Sequence, residues 1–318
     1  MATNVVSRPN SQEQVLLGVA CILFATAGMS LTDALIKYFS ANITVWQVFV
    51  LRSAFALPCL YLIARWKGNA LMPVSLFWTL MRSTFQVAGW LCFYVSLPLM
   101  SLSVAAVVVY TTPILTAIFA ALIFKEEITS RQWVGVALGF AGVVVILRPW
   151  TGDVNWAVLM PFVSAIFYTV TVLVTRQKCR DERATTLTIW SQMTFITFGL
   201  AGATIVALLD FDQTLVAGYS FLLNSWPSLS AHEWGVLVAM GLTASVLFIA
   251  AARAYQIAPP QIIGTMDNSY LVWAALWSIL LFDEIPDSLT LSGMALIFVA
   301  GGLSATRPLG GKSAITRR

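Results

Sequence analysis

Ten apolar stretches of membrane-spanning length, falling into two groups of five, constrain this chain more than any other feature. A spanning helix needs about 20 mostly apolar residues. The stretches are 15–38, 44–64, 77–97, 101–123, 132–148, 156–175, 186–209, 235–256, 262–282 and 288–305. An odd number of crossings per group inverts the second group relative to the first, so two resembling groups make an inverted repeat. The expected fold class is therefore all-α integral membrane, with ten transmembrane helices arranged as two inverted five-helix repeats. The expected divisions are a tail at 1–14, a first repeat at 15–148, a second at 149–306 and a basic tail at 307–318.

Composition agrees. With 59% hydrophobic and 10% charged residues and a mean hydropathy of +0.84, a water-soluble globule would lack a wettable surface. The net charge of +4 and a pI near 9.0 do not point to nucleic acid, because the basic residues sit in short loops and tails rather than on one face. Cys21, Cys59 and Cys92 fall inside apolar stretches and Cys179 in a charged loop, without CxxC or Cys/His metal spacing, which predicts free thiols and no metal. The polar N-terminus runs into Val15 without a small-residue cleavage site, so the first span is expected to be retained.

Lysine and arginine placement gives the expected orientation, since cytoplasmic loops keep positive charge. With the N-terminus inside, Arg8 is followed at inside loops by Arg65 and Lys67, by Lys125 and Arg131, and by Arg176, Lys178, Arg180 and Arg183. Arg307, Lys312, Arg317 and Arg318 add to the tail. Outside, Arg148 and Lys37 are the bases, whereas the long 210–234 loop carries Asp210, Asp212 and Glu233 with neither Lys nor Arg. Both termini are expected to be cytoplasmic. A short interfacial helix is expected near Tyr219 to Leu223.

The repeat is visible in residues as well as in hydropathy. LIFKEEITSRQWVGVALGFAGVVVILRP (122–149) in the first half corresponds to LLFDEIPDSLTLSGMALIFVAGGLSATRP (280–308) in the second, matching Glu126 with Glu284 and Gly135 with Gly293. The charge around the shared acid changes with inversion: Lys125, Glu126, Glu127 and Arg131 lie inside, while Asp283, Glu284 and Asp287 lie outside with no base beside them in sequence.

A helical hairpin ending in FKEEITSRQWVGVALGFAGV, repeated as FDEIPDSLTLSGMALIFVAG, resembles the EamA domain of the drug/metabolite transporter superfamily over nearly the whole chain. The second copy departs from the first between Met294 and Ala300, where no glycine answers Gly139. What the resemblance implies is a ten-helix carrier with two EamA-like repeats, moving a small organic solute across the cell inner membrane by alternating access. Helices one to four and six to nine would enclose a central cavity, with five and ten supporting it. The WLCFYVSLPLM segment (90–100) is similar to bacterial EamA permeases that include riboflavin and S-adenosylmethionine importers. Riboflavin, amino acids or their derivatives, and nucleoside-like compounds are the solutes this implies.

Charges within a span cost about 2.5–3.5 kcal/mol each on insertion scales, so they face the protein interior or water and find partners. Asp33 and Arg52 fall at similar depth in the first two spans and suit a cross-helix pair; Asp33 with Lys37, at i,i+4 spacing, is the local alternative. Arg253 and Asp267 are close in depth at the other end, suiting a gate or a structural ion pair, while Arg82 lies near enough to the boundary to snorkel. These four, Asp33, Arg52, Arg253 and Asp267, are the gating or ion-coupling candidates. A solute site also needs polar groups and aromatic faces, which Trp90, Tyr94, Tyr110, Asn268, Tyr270 and Trp273 offer. The repeat register matches Tyr110 with Asn268, and Pro113 predicts a mid-span kink beside Tyr110. Trp273 and Trp277 also suit plain packing or lipid contact, and Trp46, Trp78 and Trp234, near helix ends, suit an interfacial belt. The glycines at 135, 139, 142, 293, 301 and 302 suit close helix packing, including a dimer face.

No nucleophile elbow, phosphate loop or metal-ligand spacing is present in the sequence, and the one histidine, His232, lies in a loop. The expectation is a non-enzyme without cofactor whose partners are a small-molecule solute and membrane lipid, acting as a monomer or weak homodimer. A solute-gated channel or membrane receptor is the rival. A channel should show a continuous polar stripe or rings of like charge, whereas the charges here are sparse and mixed in sign.

Overall fold

A computed structural model describes residues 11–124, 130–148, 150, 156–209, 211–224, 226–258, 263 and 266–305. Described residues are helical with connecting turns, and none forms a strand. We label the main helices α1 (Ser11–Phe39), α2 (Val45–Trp66), α3 (Leu76–Ser96), α4 (Leu102–Val109 and Thr112–Phe124), α5 (Ser130–Leu147), α6 (Leu159–Lys178), α7 (Ala184–Leu208), α8 (Ala231–Ile257), α9 (Ser269–Phe282) and α10 (Ser288–Ala305). Among the described residues seven of these, α1, α2 and α4–α8, are long and apolar enough to cross a membrane, which makes the chain a multi-pass membrane protein. The helices α9 and α10 are apolar but shorter. Helix α3 has the length but spends it on Thr79, Arg82, Ser83 and Gln86, and these polar residues point into the protein.

Two helices are interrupted where side chains must be aimed. In α2 a π turn spans Val48–Arg52, and such a bulge rotates the residues that follow it relative to an unbroken helix. In α4 the helix breaks at Tyr110–Thr111, just before Pro113, whose ring cannot donate to the preceding turn. The carbonyls at this break find replacement donors: Thr111 Oγ1 bonds Val108 O at 2.8 Å and Thr112 Oγ1 bonds Val109 O at 2.6 Å.

Glycines set the closest helix approach. A Cβ on Gly142 would meet Gly293 O at 2.7 Å, and one on Gly293 would meet Gly142 O at 2.9 Å, so α5 and α10 touch backbone to backbone. These two glycines are thereby used within the chain rather than on a dimer face. Gly202 of α7 performs a similar service for Trp46, whose ring occupies the space of the missing side chain. Trp46 is consequently buried, with its indole donating to Leu222 O at 2.8 Å, and is not the interfacial residue its position near a helix end predicts. Trp234, at 42% exposure, does fit that expectation.

The long connection contains two short helices, Gln213–Gly218 and Ser220–Leu223. It docks on the start of α2 through Trp46 and through Gln47 Nε2, which donates to Pro227 O at 2.7 Å. Helix α8 begins at Ala231, earlier than hydropathy predicts, because Ser230 and Glu233 form a reciprocal capping box. Glu126, Lys125, Asp210, the Pro259–Pro260 pair and the basic tail lie outside the described residues.

Candidate functional site

Five helices send polar side chains to one buried cluster. Asp33 of α1, 2% exposed, accepts a hydrogen bond from the Tyr270 hydroxyl of α9 at Oδ2 (2.6 Å) and a longer one from Tyr94 of α3 at Oδ1 (3.3 Å). The Tyr94 oxygen in turn accepts from Arg52 Nη1 at 2.6 Å, and the guanidinium lies over the rings of Tyr94 and Phe195 at 5.6 and 5.7 Å. Asp33 and Arg52 thus meet across helices, but through a tyrosine hydroxyl rather than in a direct ion pair. Tyr110, at the break in α4, stacks on Tyr270 with centroids 5.8 Å apart and planes 17° apart. Its hydroxyl reaches Asp267 O at 3.3 Å. Trp90 sits 5.1 Å from the Tyr94 ring.

The structure brings Asp33, Arg52, Trp90, Tyr94, Tyr110 and Tyr270 together, and two details differ from the sequence reading. The repeat register matches Tyr110 with Asn268, but Tyr110 pairs in space with Tyr270; Asn268 stands half-buried at the cap of α9. Trp273 and Trp277 are partly buried, and both indole nitrogens are sealed from solvent without a hydrogen-bond partner among the described residues. Lipid contact is not where their N–H groups point.

Three charge assignments are corrected. Lys37 does not pair with Asp33: its Nζ bonds Glu284 Oε1 at 2.5 Å and Met100 O at 2.8 Å, and lies 4.6 Å from the Phe282 ring centroid. Glu284 and Asp287, without a base nearby in sequence, receive one each from distant segments, Lys37 and Arg148. Arg253 is exposed and forms no ion pair with Asp267 in this conformation. Hydropathy places them at similar depth, but depth does not fix which way a helix face is turned.

Arg82 does not snorkel. Its Nε donates to Thr175 Oγ1 of α6 at 2.9 Å, and its Nη1 to Gln86 Oε1 at 3.0 Å and to Ser191 Oγ of α7 at 2.7 Å. Ser191 also bonds Gln86 Oε1 at 2.7 Å, closing the network. Gln86 and Ser191 were not among the sequence candidates. The legible signal was a polar stripe on α3, with Thr79, Arg82, Gln86 and Trp90 at helical spacing in an otherwise apolar stretch.

At the Lys37 end, away from Arg82, a cavity of about 470 Å³ lies between Lys37, Phe282 and the 218–222 turn. Buried charges held by hydrogen-bonding side chains from several helices, with aromatic faces beside them, are what a carrier needs to recognise a polar organic solute within a membrane.

Comparison with known proteins agrees with that reading. Residues 16–148 match the EamA-like transporter family. The chain is 25% identical over 285 residues to the pseudopaline exporter CntI of Pseudomonas aeruginosa, covering 89% of this chain and 94% of the relative. It is 23% identical over 286 residues to an S-adenosylmethionine uptake transporter of Rickettsia prowazekii, covering 90% and 91%. A riboflavin transporter of Rhizobium johnstonii is 28% identical over 292 residues, covering 90% and 87%. A protein of known crystal structure shares the fold, with a TM-score of 0.57 at 17% identity over 93% of this chain and 98% of that one. The chain is a small-metabolite transporter. The match of residues 16–148 to the EamA-like transporter family, with the transporter relatives that cover most of the chain, supports its placement in the drug/metabolite transporter superfamily.

Proposed function

We propose that the chain moves an organic metabolite across the cell inner membrane by alternating access, with ten crossings arranged as two inverted EamA-like repeats, 15–148 and 149–306, and both termini cytoplasmic. Packing partners support the repeat. Helix α1 packs on α8 and α9 while α6, five places on, packs on α3 and α4; α2 packs on α7, and α5 on α10. Exchanging each helix with the one five places away maps these contacts onto each other.

The observation that carries the mechanism is the Arg52–Tyr94–Asp33–Tyr270 linkage. It ties α1, α2 and α3 to α9, so its making and breaking couples the first half to the second. Asp33 and Arg52 act as the gating or coupling pair. Protonating Asp33 would remove the charge that holds both tyrosines and Arg52, which is how one carboxylate links a proton to a rearrangement. Trp90, Tyr94, Tyr110, Asn268, Tyr270 and Trp273 form the solute surface. Asp267 remains in the site beneath Tyr110, and Arg253 does not. The relatives' names favour riboflavin, S-adenosylmethionine or an amino-acid derivative as solute, with a nucleoside-like compound also fitting the aromatic faces, and the working unit is a monomer or weak homodimer.

Counterflow in proteoliposomes loaded with pooled amino acids, nucleosides or vitamins tests this reading. Saturable exchange of one pool is expected, with Asp33→Asn losing it or shifting its pH dependence. Currents through the wild-type protein without saturable exchange would overturn the carrier in favour of a channel. Solute binding without either would leave a receptor.

A further inference from the structure

Helix α1 turns a polar face toward α9. Thr26, Ser30, Asp33 and Lys37 follow one another at spacings of four, three and four residues, which places them on one side of an otherwise apolar helix. Three of them reach across to the second half of the chain. Thr26 Oγ1 lies 2.8 Å from Ser269 Oγ, Asp33 accepts from the Tyr270 hydroxyl at 2.6 Å, and Lys37 Nζ donates to Glu284 Oε1 at 2.5 Å. The last of these is nearest the end of α1, one turn beyond Asp33, and is the ion pair that joins α1 to the second half among the described residues.

Lys37 stands between two compartments. The cavity of about 470 Å³ is lined by Lys37 and Phe282, and opens beside Tyr38, Pro98 and Tyr219, which are exposed. None of Asp33, Tyr94, Tyr110 and Tyr270 lines it, although Asp33 is only one helical turn from Lys37. Between cavity and cluster the ammonium is clamped by Glu284 of the α9–α10 turn, by Met100 O of the α3–α4 turn at 2.8 Å, and by the Phe282 ring, 4.6 Å away at its centroid. The pair is built to part. The Glu284 side chain is 31% exposed against 9% for Lys37, and Ser278 Oγ donates to Glu284 Oε2 at 2.8 Å, so the carboxylate keeps a donor and meets water once Lys37 leaves. The long lysine stem lets its own head follow the cavity outward. Asp33, at 2% exposure, has no such route to water.

We propose that Lys37 and Glu284 form the outer gate of the carrier: paired, they seal the outer cavity from the Asp33 cluster, and parted, they admit solute from that cavity to the Tyr94, Tyr110 and Tyr270 surface. The two residues belong to opposite halves, so the separation of the halves that opens a carrier also parts the pair. The structure is then the outward-closed form. This rests on the alternating-access reading and divides the labour within it: Asp33 and Arg52 couple the halves, whereas Lys37 and Glu284 close the path.

Ser30, sealed from solvent on the same face of α1 and two turns inward of Lys37, serves as the reporter. The full chain carrying Ser30→Cys is labelled on intact cells with a membrane-impermeant maleimide, and the chain without that substitution gives the background from its own four cysteines. Labelling is expected to be slow with the pair intact and on the order of fivefold to tenfold faster in Lys37→Met or Glu284→Gln. The charge exchange, Lys37→Glu with Glu284→Lys, should return it toward the slow rate. Unchanged labelling in both single variants overturns the gate, as does an exchanged pair that labels as fast as they do. Lys37→Cys with Glu284→Cys, bridged by a reducible bis-methanethiosulfonate, covers the case in which a charge variant fails to fold. Bridging should stop counterflow of whichever pool the wild type exchanges, and reduction should restore it; undiminished counterflow overturns the gate. Faster labelling in a protein that exchanges no pool would overturn the carrier and leave the barrier, whereas saturable exchange with labelling unchanged would overturn the gate and leave the carrier.

Discussion

Two partly buried guanidiniums in this protein are treated in different ways. Arg52 is tied to an acid within the fold: its Nη1 donates to the Tyr94 hydroxyl, which donates to Asp33, and two aromatic rings lie beside the guanidinium, while its Nε is sealed without a hydrogen-bond partner among the described residues. Arg82 is held by three neutral oxygens and forms no ion pair among the described residues. In the first arrangement, removing one charge strands the other. The second holds a cation without an acid partner among the described residues. The difference teaches that the cost of removing a charge depends on what it is tied to as well as on its burial.

The largest expected effect lies at the balanced cluster. Arg52→Leu leaves Asp33 buried without its counter-charge and should cost about 3–5 kcal/mol, read from denaturant unfolding in detergent. Arg52→Leu combined with Asp33→Asn should recover much of that loss, because a neutral amide no longer needs the guanidinium. Additive losses in the double variant would mean that Asp33 and Arg52 do not communicate through Tyr94.

Tyr94→Phe comes next. It removes only the bridging hydroxyl, yet leaves Arg52 Nη1 without an acceptor and Asp33 Oδ1 without a donor. A loss of about 1–3 kcal/mol is expected, together with a shift in the pH dependence of any exchange. If Tyr94→Phe unfolds like wild type, the relay is not the bond that ties α3 to α1 and α2.

At Arg82 the comparison predicts a much smaller change in stability. Arg82→Gln removes a charge that no acid among the described residues balances while retaining a polar head, so lost hydrogen bonds and relieved desolvation offset each other to within about 1 kcal/mol. A loss as large as that of Arg52→Leu would show that the two guanidiniums are equally structural, and would erase the distinction.

Much of the helix plan was legible in the sequence because lipid-facing helices must be apolar over a fixed length. The 288–305 stretch is a helix with those bounds, and the kink expected from Pro113 is present at Tyr110–Thr111. The buried cluster was legible because charges within spans are so few that Asp33 and Arg52 stand out. Illegible were the pairings that depend on rotation about a helix axis and on distant segments. Lys37 has Asp33 one turn away in its own helix but pairs with Glu284, 247 positions on. Arg253 shares depth with Asp267 yet is exposed and forms no ion pair with it. Trp46 sits at a helix end, where an interfacial role is the usual one, but Gly202 opens a slot for it on α7. Hydropathy locates depth along a helix, whereas these outcomes turn on which neighbour leaves room.

The smallest effect belongs to the exposed pair, Arg148 with Asp287, which sharpens the contrast by showing what a charge pair does in water. Arg148 Nη2 contacts both carboxylate oxygens of Asp287, and Thr290 N donates to Oδ1 at 3.1 Å. The bond to Arg148, aided by Thr290, holds the Asp287 carboxyl below the ordinary carboxylate range. A depressed folded-state value means that this contribution is complete above the unfolded pKa, about 3.9, and is lost as pH falls through the lower folded value. The stability difference between wild type and Asp287→Asn should therefore be constant from neutral pH to about 5, shrink only in stronger acid, and fall with added salt. Thermal unfolding of both proteins across that range measures it. A difference that already vanished between pH 6 and 5 would place the governing titration at another group, in the buried cluster rather than at this exposed bridge.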